Sequence, residues 1–174
     1  MTKSIPFHYR KAVIFTVKFL VIYGILYVLH FAWIKTAFPN TEIFTDFTAL
    51  QTQWLLSLWS ENIHLSWDTD YPKIYLENST GIVLVVYAGC NGVSLYIVFL
   101  AFVLAFFKPS LKLGLFVFLG LVVLNISNVF RAAALYYISI HVPDQLYFYH
   151  KYIFNIMLFL EVFGLWYYAT KKIV

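Results

Sequence analysis

The sequence is poor in cysteine and in charge, and each scarcity excludes whole classes of protein. Cys90 is the single cysteine in 174 residues. An internal disulfide, a four-thiolate zinc site and a CxxC redox pair are therefore excluded. Charged residues make up 11% of the chain, against 62% hydrophobic and 21% aromatic, with a mean hydropathy of +0.78. A soluble domain is about 45 to 50% apolar and about 25% charged, so this composition belongs to an integral membrane protein. His8, His30 and His64 are scattered, with no HExxH and no i, i+4 pairing, so neither a metal site nor a cofactor is predicted. No internal repeat or low-complexity tract is present. The stretch Leu29-His30-Phe31-Ala32-Trp33 offers no small-residue cleavage site, so the first apolar run is expected to stay as a helix rather than leave as a signal peptide. The formal charge of +4 does not point to nucleic acid, because the basic residues cluster at the ends of apolar runs, as membrane topology requires.

Against these absences stand four long apolar stretches, at about 12 to 34, 89 to 107, 113 to 137 and 149 to 169. A bilayer core about 30 Å thick takes roughly 20 helical residues, so we expect one mainly α-helical membrane domain over 1–174 with four transmembrane helices. Lys3, Arg10 and Lys11 precede the first helix, Lys108 and Lys112 flank the turn between the second and third, and Lys171 and Lys172 end the chain. Lys- and Arg-rich segments stay cytoplasmic, which predicts both termini inside. Glu42, Asp46, Glu61, Asp68, Asp70, Glu77 and Asp144 then all lie outside.

Residues 35–88 form the sizeable extramembrane part. Within 45–60, Leu50, Trp54, Leu55 and Leu58 recur at helical spacing behind a cap at Thr45 or Asp46, which predicts an interfacial helix that serves packing. From Asn62 to Tyr87, short β-branched and aromatic runs alternate with turn signals, which predicts a small antiparallel β-sheet leading to Cys90. Asn78-Ser79-Thr80 matches a glycosylation sequon, a pattern frequent by chance.

Three polar groups arrive at one depth. Cys90 sits between Gly89 and Gly92 where a strand gives way to a helix. A thiol in the first turn of a helix is expected to have a lowered pKa, although a lone cysteine also serves as a small apolar filler. Arg131 lies 18 residues beyond Leu113, about 27 Å up the third helix, with Asn128 on nearly the same face. It is either paired and used, or snorkelling to headgroups. His150 opens the fourth helix behind Tyr147-Phe148-Tyr149, an aromatic group suited to the headgroup level. Cysteine, histidine and arginine together suffice for acyl transfer. His141 is a weaker candidate for the base. Lys18 and Glu161 lie at similar depths within the first and fourth helices, which predicts an ion pair between them.

At these residues, "CNG" at 90–92 with Ser94 beyond it, "NVFR" at 128–131 and His150 at the head of the last helix, the chain resembles the exosortase and archaeosortase family of membrane transpeptidases. It is similar to the compact forms found among Bacteroidetes, though many members read C-S-G where Asn91 stands here. The resemblance implies Cys90 as nucleophile, Arg131 as transition-state stabiliser and His150 as acid and base, with Asn91, Gly92 and Asn128 in support. It implies an enzyme of the bacterial inner membrane with its site on the outer face. Its partners would be exported proteins ending in a recognition motif, a transmembrane helix and a basic tail.

The main rival is a non-enzymatic scaffold or assembly factor for envelope or exopolysaccharide export, in which the polar trio only ties helices together. A thiol redox protein would need a second cysteine, and a transporter would need an inverted repeat or a broken helix with a polar midplane.

Overall fold

The fold is described from a computed structural model, over residues 7–59 and 62–172. Lys3 and Glu61, used above for orientation, lie outside the described residues, as does the side chain of His8. The chain is mainly helical, with a small sheet inserted after the second helix.

Helix α1 (Phe7–Ala37) opens the fold, and α2 (Ile43–Ser57) follows it. Strands β1 (His64–Trp67), β2 (Lys73–Asn78) and β3 (Gly81–Tyr87) come next, then α3 (Val93–Phe106) and α4 (Leu111–His141). A 3-10 turn at Pro143–Gln145, the single turn α5 (Leu146–Phe148) and a π-helical turn at Tyr149–Ile153 lead into α6 (Phe154–Lys172). Three helical segments are long and apolar enough to cross a membrane: Arg10–Ala37, Leu111–His141 and Pro143–Lys172. Their outer surfaces carry Val28, Leu29, Phe118, Leu119, Leu160 and Tyr167, all exposed. Apolar cover on this scale suits lipid rather than water.

The fourth expected span is shorter than predicted. α3 has 14 residues, about 21 Å of helix, because Cys90, Asn91 and Gly92 form a turn ahead of it instead of its first turn. It is apolar all round and central, with Ile97, Phe99, Ala101 and Val103 buried. α1 leans on it through Phe19, whose ring lies 4.5 Å from that of Phe102.

The expected sheet is present. The strands run antiparallel in the order β1-β2-β3, from His64 opposite Glu77 on one side to Lys73 opposite Tyr87 on the other. The register shifts at Leu76/Glu77, where β3 carries one extra residue, Val83.

α2 begins two residues before the expected start, and its cap is Glu42, not Thr45 or Asp46. The Glu42 carboxylate accepts from the amides of Phe44 and Thr45, at 2.7 and 3.1 Å. Its buried face holds Thr45, Thr48, Ala49, Thr52, Leu55 and Leu56, while Leu50, Trp54 and Leu58 point outward and are exposed.

Two apolar cores result. One joins α2, the sheet and the upper part of α4 through Leu56, Ile74, Leu76, Val86, Ala133 and Tyr136. The other joins α3, α4 and α6 through Phe99, Val103, Leu124, Leu158 and Val162. α4 serves both because its 31 residues reach about 46 Å, well past a bilayer core about 30 Å thick. The Lys18–Glu161 pair does not form. Glu161 accepts instead from Ser127 Oγ of α4 at 2.7 Å, and Lys18 lies exposed on α1.

Candidate active site

The three residues singled out by depth meet at the seam between the two cores. Cys90 leaves β3 through a tight turn in which its amide donates to Tyr87 O at 2.7 Å. Its sulfur lies 3.8 Å from His150 Nε2. Its carbonyl oxygen is gripped twice from α4, by Arg131 Nη2 at 3.0 Å and by Asn128 Nδ2 at 3.1 Å. Arg131 is 6% exposed and Asn128 fully buried. Asn128 Oδ1 and Arg131 Nε have no hydrogen-bond partner among the described residues. Arg131 Nε is thus an unpaired donor enclosed within the protein, while Nη2 is committed to the Cys90 carbonyl. Cys90, Arg131 and His150 line one cleft of about 360 Å³ between β3, α4 and the segment before α6.

Two glycines permit this approach. Gly92 has φ +80, and a Cβ there would stand 3.0 Å from Cγ and Nδ2 of Asn128. At Gly89 a Cβ would meet the Tyr87 ring at 2.5 Å, so glycine lets that ring lie over the turn.

Asn91 fixes the turn from beneath. It is 1% exposed, and its amide nitrogen donates to the carboxylate of Glu42 and, at 3.3 Å, to Thr45 Oγ1. Its side-chain oxygen accepts from the Val93 amide at 3.0 Å, satisfying the first free N–H of α3. Its own carbonyl accepts from Thr48 Oγ1 at 3.3 Å. The head of α2 and the head of α3 are thus bound through one side chain.

The expected low thiol pKa is overturned. α3 begins at Val93 with Gly92 as its N-cap, so Cys90 precedes the helix and is not in its first turn. Burial pushes the Cys90 thiol above its ordinary value, and the Arg131 charge with hydrogen bonds from Tyr87 offsets only part of this. Removing the proton is accordingly a task for a base, and the His150 ring nitrogen is the group within reach. His150 sits inside the π-helical turn rather than opening the helix, which starts earlier, at Pro143. Such turns often occur where a side chain must be re-aimed at a site. His141 is exposed and stacks on Tyr137 at 6.4 Å, away from the cleft lining.

Sequence reasoning missed Tyr87 and Glu42. Tyr87 is bound to the Cys90 side chain and is itself pushed up, chiefly by the charge of the Cys90 thiolate. Its signal was an aromatic three residues before the thiol at a strand end. For Glu42 the signal was an acid three residues ahead of Thr45. Comparison with protein-family models, curated proteins and solved structures returns no match. Site chemistry is thus read from its own geometry.

Proposed function

We propose that the chain is a membrane-embedded cysteine acyl-transfer enzyme of the exosortase type, cleaving a C-terminal sorting signal of exported proteins. One observation carries this reading: the Cys90 sulfur and His150 Nε2, brought from distant segments to 3.8 Å in a shared cleft with Arg131. His150 takes the thiol proton, and the sulfur attacks the scissile carbonyl carbon. The C–N bond breaks, and His150 returns the proton to the departing amine. The resulting thioester is opened by an amine or by water, whose proton passes through His150 back to Cys90 as the C–S bond breaks. Arg131 stabilises the oxyanion in both steps.

In this reading α3 completes a fourth, short crossing, because Lys108 and Lys112 at its far end belong inside. Both termini are then cytoplasmic in a bacterial inner membrane and the cleft faces outward. Its substrates would be membrane-anchored proteins whose scissile bond emerges just above a transmembrane helix.

A second reading has one observation in its favour. Arg131 and Asn128 hold the Cys90 carbonyl rather than the sulfur, as a purely structural tie between α4 and the turn would. The test is a comparison of C-terminal peptides of envelope proteins from native cells carrying Cys90→Ala with those of unaltered cells, at equal levels of folded protein. Loss of processed C-termini is expected; an unchanged set would favour the scaffold.

A further inference from the structure

Resting on the acyl-transfer reading of Cys90, we infer that the protein takes its substrate as an extended strand added to the free edge of β3. In the order β1-β2-β3 one side of β3 is unpaired within the sheet. Side chains of a strand alternate between faces, so a cavity against either face would meet every second residue. The cleft beside Cys90 is lined by five consecutive residues, Val83 to Tyr87. It therefore runs along the edge, where every second residue of the strand turns its N–H and C=O away from β2.

The strand and the nucleophile are continuous. Val83, the extra residue, bends the distal part of the edge, a device that blunts unwanted pairing there. Leu84 to Tyr87 are in regular register, about 13 Å of edge, enough for four residues of a second chain. The edge then passes directly into the turn that holds Cys90, so a peptide laid on it arrives at the sulfur.

The opposite wall suits the same occupant. It is formed by Leu135, Leu146 and Tyr147 with Arg131 and His150 at the reactive end. In so apolar a cleft an extended backbone would lack partners for its own amides, and the β3 edge supplies them. Arg131, buried and donating through Nη2 to the Cys90 carbonyl, sets a fixed positive charge at the reactive end. The volume of about 360 Å³ lies at the lower end of the range of about 300 to 1,000 Å³ for ligand clefts. Its walls are mostly apolar, with Val83, Leu84, Val85, Val86, Leu135 and Leu146 among the lining residues, which suits apolar side chains on the occupant.

The experiment uses the full chain in detergent and acetyl-Val-Ala-Val-Ala chloromethyl ketone, whose methylene carbon forms a C–S bond with Cys90 and releases chloride. Single N-methyl groups are placed on each backbone amide in turn, and acetyl-Ala chloromethyl ketone serves as the short reference. Labelling of Cys90 is followed by intact mass, with Cys90→Ala as background. The tetrapeptide is expected to react at least about tenfold faster than the short reference. N-methylation is expected to cost about tenfold at alternate amides and little at those between. If the tetrapeptide is faster but tolerates or resists methylation equally at every position, strand addition is overturned while acyl transfer stands. That result would also be given by a cleft that holds apolar chains such as lipid tails without reading a backbone. If the tetrapeptide is no faster than the short reference, strand addition and the peptide reading of the site fall together.

Discussion

His150 Nε2 stands 3.8 Å from the Cys90 sulfur, though one belongs to a π-helical turn ahead of α6 and the other to a turn ahead of α3. Neither residue is held by the other's element. The pair exists because α4 serves both sides: it grips the Cys90 carbonyl through Arg131 and Asn128 and contacts the turns at Pro143–Gln145 and Leu146–Phe148 that lead into the one carrying His150.

Alkylation of Cys90 by iodoacetamide will follow an inflection above the free-thiol reference of about 8.5. Only the thiolate reacts, and burial raises the pKa, so the reactive form gains population at higher pH than in a free cysteine. The Arg131 charge acts in the opposite direction. Arg131→Gln should therefore move the inflection further up. Rates measured from pH 6 to 10 decide this; an inflection below 8.5 would contradict the buried environment.

On the acyl-transfer reading, His150→Ala should lower turnover by about 10²- to 10⁴-fold, the range for a lost general acid and base. The protein should remain folded, since His150 is only half-buried. Size-exclusion elution checks the fold, and turnover of a peptide substrate at constant folded protein checks the loss.

Asn91→Ala removes three side-chain hydrogen bonds at once and leaves the buried Glu42 carboxylate with only its donors from Phe44 and Thr45. The expected cost is about 1 to 3 kcal/mol, read as a lower unfolding midpoint in detergent. Asn91→Asp should cost more, because it sets a second carboxylate against that of Glu42.

Gly92→Ala should destabilise by about 1 to 2 kcal/mol from the left-handed backbone alone, and by more through the contact with Asn128. In an Asn128→Ala background the second part should shrink to the contact with Tyr96 Oη, 3.1 Å from the added Cβ, and the first remain. A double-mutant cycle on thermal midpoints separates the two.

Lys18→Gln and Glu161→Gln should add within about 0.5 kcal/mol, as for sites that share no partner. Ser127→Ala and Glu161→Gln should not add, because Ser127 donates to Glu161.

The strands were legible because β-branched runs stood between unambiguous turn residues, and the depth of the trio because helical rise converts residue counts into height. Azimuth was not legible. Lys18 and Glu161 match in depth, yet each residue turns a helix by about 100°, and depth says nothing about which way a side chain faces. α2 misled for a related reason. Of the apolar stripe assigned to packing, only Leu55 is buried, beside Ala49, Leu56 and three threonines, with Thr52 satisfied by Thr48 O and Thr48 by Asn91 O. Local hydroxyl bonding makes a polar face buriable, and Leu50, Trp54 and Leu58 remain outward. The thiol pKa failed on an offset of three residues between Cys90 and the first residue of α3.

The length of α4 sets a ruler. Arg131 lies 20 residues beyond Leu111 at the helix start, about 30 Å along one unbroken rod. On the acyl-transfer reading, a substrate must present its scissile bond at that one height. A substrate helix longer or shorter by a single turn would then miss by about 5.4 Å, so selection between otherwise similar chains would be made by measuring them as well as by reading them.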